Sequence, residues 1–233
     1  MATNNSQTGT SGDDVLVAAP GSSVFGGQGD DVLIGGANGS VLWGGQGNDI
    51  LIGSTGIQSN LLVGGKGQDT MTGRGTGGNT FLYNTDPFDG KAPAAAPGAK
   101  IAGVNAPDTI TDFDPGKDSF TLDADVLGLK GFSFVNGAVN DLKGGADVLV
   151  LQGQFANAGA AAQAIADNNA LTGGAGVFIY HNSTIGVNRL VYSSDLGNGG
   201  SFSVLANLTN QGGDAGVALL PSYTAKAFSL TGG

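Results

Sequence analysis

The stretch GGQGDDVLI, residues 26–34, joins a glycine-rich loop ending in aspartate to a short apolar run. The same pattern returns as GGQGNDILI at 44–52, as GGKGQDTMT at 64–72 and, less closely, as GTSGDDVLV at 9–17. Glycine-rich loops of this kind favour tight turns, and short apolar runs rich in Val and Ile favour strands. Self-similarity at a fixed short period is typical of a solenoid, in which each repeat packs on its neighbours. The pattern therefore predicts stacked short strands joined by glycine-rich turns.

Apolar residues recur at intervals of about nine and mark the inward side of each strand. They are Leu16, Phe25, Leu33, Leu42, Leu51, Leu62, Met71 and Phe81. This spacing suits two short sheets that face each other across a thin core. Between the Asp-bearing motifs lie degenerate half-turns at 18–25, 35–43 and 53–63, followed by a copy at 74–82, which place Ser23, Ser40, the 58–60 stretch and Asn79 where Asp is expected. We therefore expect a row of carboxylates along one edge only.

The composition fits the binding of a hard cation. All 19 acidic residues are Asp, and the formal net charge is −10. The short Asp side chain can be aimed from within a tight turn, and Ca²⁺ takes about six to eight oxygens, including backbone carbonyls. The acidity argues against nucleic acid and anionic membranes as partners. The alternative interpretation of this composition is a soluble protein with a generically acidic surface. The chain contains no cysteine, so it has neither disulfides nor thiolate chemistry.

The motifs resemble the nonapeptide repeats of the RTX (repeats-in-toxin) family of secreted calcium-binding proteins. For residues 8–83 the resemblance implies an all-β fold, a right-handed parallel β-roll in which loops two repeats apart share an edge. Asp14, Asp31, Asp49 and Asp69 would stack at roughly the 4.8 Å strand spacing, and neighbouring loops would hold about three Ca²⁺ ions. The other ligands would be loop carbonyls, at positions where positive φ favours glycine. These glycines are Gly12, Gly27, Gly29, Gly45, Gly47, Gly65 and Gly67.

Calcium binding and folding are expected to be coupled in residues 8–83. Without cations, carboxylates about 5 Å apart repel by ~1 kcal/mol per contact in water and by more when partly desolvated. Glycine-rich loops also lose much backbone entropy when they become ordered. We predict that this part is loose without calcium and folds when calcium binds. The resemblance adds that calcium is scarce inside bacteria, so folding would follow export.

The rest of the chain is predicted to form a linker and a β-rich cap. Residues 84–107 are rich in Pro, Ala and Gly and predict the linker, and 108–233 the cap with its secretion signal. Residues 108–122 resemble the strand–turn–strand that follows the repeats in RTX proteins, including serralysin-type proteases. Asp112, Asp114 and Asp118 in this segment are predicted either to hold one further Ca²⁺ or to be turn-forming hydrogen-bond acceptors.

Within the cap, apolar runs predict five strands, and the alanine-rich stretch 155–171 predicts the one helix. The strands are expected at 132–135, 148–151, 177–180, 189–192 and 201–205. Residues 178–199 are similar to a segment common near the end of RTX proteins, except that Ser194 and Asp195 stand where a pair of aspartates is usual. The cluster at 228–230 loosely matches a type I secretion signal.

Outward strand positions in the repeats are also apolar, which leaves two interpretations. One is β-propensity combined with cover from the C-terminal part. The other is a flat surface for self-association or for a cell-surface partner. The positions are Val15, Val17, Val32, Ile34, Ile50, Ile52, Val41, Trp43, Leu61 and Val63.

The sequence carries no catalytic signature. His181 is the only histidine, and no Glu is present, so a zinc-protease H-E-x-x-H motif is absent. Neither a G-x-S-x-G elbow nor a P-loop is found. We therefore expect a secreted, non-enzymatic calcium-binding protein with a role at a surface, in a matrix or in adhesion. Alternatives are the C-terminal secretion and stabilising module of an RTX enzyme (a protease or lipase) and an intracellular calcium buffer.

The expected location is extracellular or at the cell surface. Residues 1–7 contain neither a basic residue nor an apolar run, so we expect no N-terminal signal peptide. No stretch reaches the ~20 apolar residues needed to cross a bilayer, so we expect no transmembrane segment. The resemblance implies export by an ABC-type exporter that reads an uncleaved C-terminal signal.

Overall fold

Strands dominate the computed structural model, which describes residues 6–95 and 99–232. The strands are β1 (Gln7–Thr8), β2 (Val15–Val17), β3 (Ser23–Gln28), β4 (Val32–Ile34), β5 (Val41–Gln46), β6 (Ile50–Ile52), β7 (Leu61–Lys66), β8 (Thr70–Thr72), β9 (Thr80–Tyr83), β10 (Gly103–Ile110), β11 (Ser119–Asp123), β12 (Phe134–Gly137), β13 (Gly144–Gly145), β14 (Val148–Phe155), β15 (Leu171–Thr172), β16 (Gly176–Asn182), β17 (Val187–Ser193), β18 (Phe202–Gly212) and β19 (Phe228–Thr231). The helices are α1 (Ala124–Leu127), α2 (Ala158–Ala166) and α3 (Gly213–Leu219), with 3₁₀ turns at Val139–Asp141, Leu220–Ser222 and Ala225–Ala227.

Most strands belong to two large sheets. One has the order β1-β3-β5-β7-β9-β11-β19, and the other β12-β14-β16-β17-β18-β10-β8-β6-β4-β2. From β1 to β9 the odd strands lie in the first sheet, the even strands in the second, and every pairing is parallel. Consecutive strands therefore alternate between two sheets, as the repeats predict. We call residues 7–83 the repeat stack.

Equivalent residues of successive repeats lie directly on one another. In the sheet of even strands, Leu16 pairs with Leu33 and Leu33 with Leu51. In the other sheet, Val24 pairs with Leu42 and Leu42 with Leu62. All of these side chains are buried in one continuous core. The stack is therefore held by a single file of apolar side chains on each inner face.

One inward position differs from the prediction. Val24 is completely buried, whereas Phe25 is 36% exposed and points outward, with its ring 6.5 Å from that of Trp43. Side chains alternate along a strand, so a shift of one residue exchanges the two faces. The same shift puts Ser22, not Ser23, immediately before the strand at the position equivalent to Asp in the other motifs.

Residues beyond 102 extend the same two sheets. β10 pairs with β8 and β11 with β9, all parallel. β18 and β19 then add to β10 and β11. The core runs unbroken from Leu16 through Phe120 to Phe228. β10 begins inside the stretch predicted as a linker, where Val104 is buried, and runs on to the buried Ile110.

The C-terminal strands fall where they were predicted, as β12, β14, β16, β17 and β18. β16, β17 and β18 are joined antiparallel, unlike the strands of the stack. α2 lies within the alanine-rich stretch and is capped by Asn157, whose side chain accepts the Ala160 N–H at 2.9 Å. Its apolar side is buried against this sheet.

The prediction of one helix is wrong, because α1 and α3 are also present. α1 has a capping Asp123 and ends at Gly128, which has a φ of 65°. α3 contains two glycines and has low intrinsic helix propensity. It forms where Gly216 is buried so closely against the Gln211 carbonyl that a side chain would not fit. Tertiary packing, which single-residue propensities do not describe, therefore stabilises this helix.

The outward apolar residues of the stack are only partly covered. Val15 is 72% exposed and Val17 58%, both on the edge strand β2, whereas Val63 is buried. Among the helices in the described residues, none is both long enough and apolar enough to span a membrane.

Two adjacent residues of β6 are predicted to contribute very differently to the free energy of unfolding. Leu51 is completely buried and Ile50 is 43% exposed. Leu51→Ala should lower the free energy of unfolding by about 2–5 kcal/mol, because it leaves a cavity in the thin core. Ile50→Ala should lower it by less than about 1 kcal/mol. Denaturant unfolding in excess calcium measures both, and equal losses would contradict the inward and outward assignment.

Candidate metal-binding edge

A carboxylate ladder runs along one edge of the repeat stack, which we call the carboxylate edge. Asp14, Asp31, Asp49 and Asp69 stand immediately before β2, β4, β6 and β8. The backbone N–H of Asp14 donates to Asp31 Oδ1, that of Asp31 to Asp49 Oδ1, and that of Asp49 to Asp69 Oδ1, each at 2.8 Å. One oxygen of Asp31, of Asp49 and of Asp69 thus ties its loop to the preceding one. We call each pair of neighbouring ladder positions a rung and name it after the earlier residue.

The second carboxylate oxygens have no such partners. Oδ2 of Asp31, of Asp49 and of Asp69 is buried and has no hydrogen-bond donor, and each residue is 1% exposed. A buried polar atom without a partner costs about 1–3 kcal/mol, and more when it is charged. Such atoms are rare in native proteins and often indicate an ion or a water molecule.

The second oxygens of Asp31 and of Asp49 each lie beside a further acceptor. A side-chain carbon placed on Gly44 would overlap both Asp49 Oδ2 and the carbonyl oxygen of Gly64. At Gly26 the corresponding atoms are Asp31 Oδ2 and the Gly44 carbonyl. Consecutive loops therefore bring a carboxylate oxygen and a carbonyl oxygen together without a donor between them. These oxygens are the donor types that Ca²⁺ prefers, so the residues present fit this ion.

The loop glycines adopt the conformation that the pattern predicts. Gly45 and Gly47 have φ of 123° and 127°, and a side chain on either would collide with a carbonyl of the preceding loop. Positive φ is shared by the equivalent residues Gly27, Gly29, Gly65 and Gly67. Gly12 differs, because its φ is not positive and the space around it is open.

The first loop, 9–14, is built differently. Thr10 stands where the other motifs have their second glycine, and its backbone N–H and hydroxyl donate to Asp14 Oδ2 at 2.6 and 2.9 Å. The second carboxylate oxygen of Asp14 therefore has donors within its own loop, whereas those of Asp31, Asp49 and Asp69 have none. Asp14 is also only half-buried.

The opposite edge has the same ladder with neutral side chains at all but its last position, and we call it the amide edge. Ser40, Asn60, Asn79 and Asp118 stand immediately before β5, β7, β9 and β11. The N–H of Ser40 donates to Asn60 Oδ1 at 3.0 Å, that of Asn60 to Asn79 Oδ1 at 3.3 Å, and that of Asn79 to Asp118 Oδ1 at 2.7 Å.

The two edges differ in the second atom of each side chain. Asn60 Nδ2 donates to the Gly73 carbonyl at 2.9 Å and to Asn79 Oδ1 at 2.8 Å. Gly73 opens the next loop of its edge, as Gly64 does for Asp49. An amide nitrogen therefore satisfies the carbonyl on one edge, whereas a carboxylate oxygen faces it on the other. On the amide edge, the Asn60 amide satisfies the neighbouring acceptors. On the carboxylate edge, a cation would be needed to satisfy the equivalent oxygens.

Asp112, Asp114 and Asp118 lie in the last loop of the amide edge. Asp112 accepts two backbone N–H groups at 2.8 and 2.7 Å, and Asp118 accepts those of Asn79 and Asp114. Asp114 pairs with Lys117 at 3.1 Å. Across 6–95 and 99–232, no three acidic or histidine side chains form a group that could hold a metal ion. These contacts favour the turn-forming interpretation, and a Ca²⁺ ion at this loop stays an untested prediction.

Asp108 is a ladder residue that sequence reasoning did not assign. The backbone N–H of Asp69 donates to Asp108 Oδ1 at 3.0 Å, which continues the carboxylate edge by one step. The signal is present in the sequence, because residues 108–111 read DTIT and residues 69–72 read DTMT. The long insertion between β9 and β10 hides this repeat from an analysis based on a regular period.

Burial raises the pKa values of the ladder carboxyls. The pKa of Asp49 rises from 3.8 to about 6, chiefly through burial. The pKa values of Asp31, Asp69 and Asp108 are raised by the same cause, and the charge of Asp108 adds to the effect on Asp69. Charged carboxylates in these positions therefore oppose folding unless a cation compensates them.

We expect the calcium-free protein to gain β structure as the pH falls from about 8 to about 5. A carboxyl whose pKa is raised on folding favours the folded state when it is protonated. For Asp49 this contribution is fully present below 3.8 and is lost as the pH rises through about 6. Circular dichroism in chelator measures the effect. A β signal that does not change, or that falls on acidification through this range, would contradict it.

Exchanging the side chains of the two edges should exchange their effects on the stability of the calcium-free protein. Asp49→Asn supplies an amide that can donate to the Gly64 carbonyl, so it should stabilise the calcium-free stack and make its folding less dependent on calcium. Asn60→Asp leaves a carboxylate against the Gly73 carbonyl and should destabilise the protein by about 1–3 kcal/mol at neutral pH. Unfolding in chelator measures both variants. Asp30→Asn is the matched control, because Asp30 is exposed and lies beside the ladder.

Comparison with known proteins agrees with this geometry. The model of the RTX calcium-binding nonapeptide repeat (4 copies) matches residues 25–57 and 55–79. The matched region contains the loops at 26–31, 44–49 and 64–69, whose second carboxylate oxygens lack donors. No curated protein matches the chain. Over residues 25–79, this chain is built of RTX calcium-binding nonapeptide repeats.

Proposed function

We propose that the repeat stack is a right-handed β-roll that folds on binding Ca²⁺, in a secreted protein without enzymatic activity. The observation that carries this proposal is the row of buried Oδ2 atoms of Asp31, Asp49 and Asp69 without donors. About three ions would satisfy them, one for each such oxygen.

The donor set favours calcium over other metals. The edge offers carboxylate and carbonyl oxygens and contains neither histidine nor cysteine. Soft or borderline metals such as zinc prefer nitrogen and sulfur ligands. Mg²⁺ demands near-octahedral geometry and gives up its water reluctantly, whereas Ca²⁺ accepts about six to eight oxygens in flexible arrangements.

Energetics support coupling between calcium binding and folding. Three buried charged oxygens without donors would each cost about 1–3 kcal/mol or more. That sum is comparable with the ~5–15 kcal/mol that stabilises a typical domain. Calcium at about 100 times its dissociation constant would add ~2.7 kcal/mol of stability per site. The calcium-free stack is therefore expected to be loose.

Export by an ABC-type exporter, and a role at a surface, in a matrix or in adhesion, form the wider part of the proposal. RTX repeats are typical of secreted proteins, and the chain contains no cysteine. In the folded protein, the residues proposed as the export signal form β19, which pairs with β11 and buries Phe228. An exporter would therefore have to bind them before the chain folds, which agrees with folding on calcium outside the cell.

Buried contacts of the single histidine support a non-enzymatic role. His181 is 3% exposed, and its Nδ1 lies 2.9 Å from Asn188 Oδ1, within a buried polar network rather than beside a nucleophile. The C-terminal module of an RTX enzyme would carry similar repeats and remains the alternative proposal. The length of the gene, or an enzyme domain encoded before residue 1, distinguishes the two.

A calcium titration followed by far-UV circular dichroism tests the proposed function. We expect a cooperative gain of β signal with Ca²⁺ and none with Mg²⁺ at equal concentration. The double variant Asp31→Ala with Asp49→Ala should lose the response. The control Asp141→Ala with Asp167→Ala removes the same charge from exposed positions and should keep it. A wild-type spectrum that is fully folded in chelator and indifferent to calcium would refute the coupling.

A further inference from the structure

We propose that the carboxylate edge carries a calcium site at its C-terminal end, between Asp69 and Asp108, and none at its first rung beside Asp14. This inference rests on the proposed function. It keeps the number of ions but assigns one of them to a different pair of ladder residues from the pair that the motif spacing indicates. The motifs alone place the ions between the loops at 9–14, 26–31, 44–49 and 64–69. The structure instead favours the last rung, beside residues 85–91.

The ladder reaches this rung without a change of register. Thr109 pairs with Thr70 and Ile110 with Met71, in parallel, so Asp108 follows Asp69 as Asp69 follows Asp49. Asp108 is 9% exposed. A carboxylate therefore occupies the ladder position although no glycine-rich loop precedes it.

A donor is missing here as in the inner rungs. Asp69 is 1% exposed, and its Oδ2 is buried without a hydrogen-bond partner beside Gly64. The Tyr83 hydroxyl, which lines the adjacent cavity, is also buried without a hydrogen-bond partner. The unsatisfied carboxylate oxygen of Asp69 therefore calls for a cation or a water molecule at this rung.

A small cavity lies at this rung. Its volume is about 40 Å³, and its walls include Gly65, Gly67, Tyr83, Thr85 and Asp108. The Thr85 hydroxyl donates to the Gly65 carbonyl at 3.2 Å and holds the insertion against the last glycine-rich loop. One water molecule needs about 10–15 Å³ of such space, so there is room for an ion with a few water ligands.

Charge at the cavity favours a cation. Asp86, Asp89 and Asp108 line it, and Lys91 is the one basic residue among its walls in the described chain. The Lys91 ammonium pairs with Asp89 at 3.0 Å. Asp86 accepts the N–H groups of Phe88 and Gly90 within its own turn, so its role is to hold the covering loop. Three carboxylates against one ammonium leave an excess of negative charge at the cavity.

The first rung differs from the inner ones in its donors. Asp14 Oδ2 and the Gly26 carbonyl both lie against Gly9, as the equivalent atoms do at the inner rungs, but here the carboxylate oxygen is satisfied. Thr10 donates two hydrogen bonds to Asp14 Oδ2, so that oxygen needs no cation. The flanking Gly12 has no positive φ, unlike the loop glycines of the inner rungs. Asp14 therefore serves as the end of the ladder, and the ions occupy the rungs that begin at Asp31, Asp49 and Asp69.

Counting bound ions in matched variants tests this assignment. Equilibrium dialysis against calcium, followed by metal analysis, gives the number of ions per chain for the wild type, Asp108→Asn and Asp14→Asn. We expect Asp108→Asn to lose one ion and Asp14→Asn to lose none. Circular dichroism at saturating calcium confirms that each variant is folded. Loss of an ion in Asp14→Asn but not in Asp108→Asn would overturn the inference.

A spectroscopic probe keeps the test decisive if Asp108→Asn fails to fold. Terbium replaces calcium at oxygen sites and emits when an excited aromatic ring is close. In a Trp43→Phe background, we expect tyrosine-excited emission that Tyr83→Phe abolishes and Tyr180→Phe preserves. Emission that survives Tyr83→Phe would place the ion elsewhere and overturn the inference. A wild-type chain that binds no calcium would instead refute the proposed function itself.

Discussion

Two oxygen atoms facing each other across stacked loops constrain the rest of this structure. One is the second carboxylate oxygen of a ladder aspartate, and the other is the first carbonyl of the next loop, as with Asp49 and Gly64. Their approach leaves no space for a side chain, which explains the glycines. It also requires loops in strict register, which the parallel strands and the inward leucines provide. Packing brings the acceptors together, and only a cation or a proton removes the resulting penalty.

The amide edge shows how small the chemical difference between the two edges is. Asn60 occupies the ladder position with the same first contact to the preceding loop, but its second atom is a donor. Backbone architecture alone therefore does not create a demand for metal. The demand for metal comes from one atom per rung. An amide nitrogen lets the protein satisfy its own carbonyl, whereas a carboxylate oxygen at the same position needs a cation from the solvent. A fold of this kind can confine its response to calcium to a single side.

Much of this arrangement could be predicted from the sequence, because it follows from a short period and from side-chain chemistry. The buried leucines, the stacking of Asp31, Asp49 and Asp69, and the strands of the C-terminal region belong to this part. Phe25 was placed on the wrong face because one residue of loop length decides which side of a strand points inward. Asp108 was missed because an insertion interrupts the period. α3 and the donors on Asp14 depend on contacts that no local pattern encodes.

The separation of partners along the chain also implies an order of assembly. Neighbouring rungs of the repeat stack join residues as few as 17 positions apart, as in the bond between Asp14 and Asp31. β11 and β19 join Thr121 and Ser229, which are 108 positions apart. Closing a long loop costs more entropy and slows folding, so near-neighbour rungs are expected to form first and β19 last. If calcium orders the stack as proposed, the C-terminal strand would pair last, with a stack that is already formed.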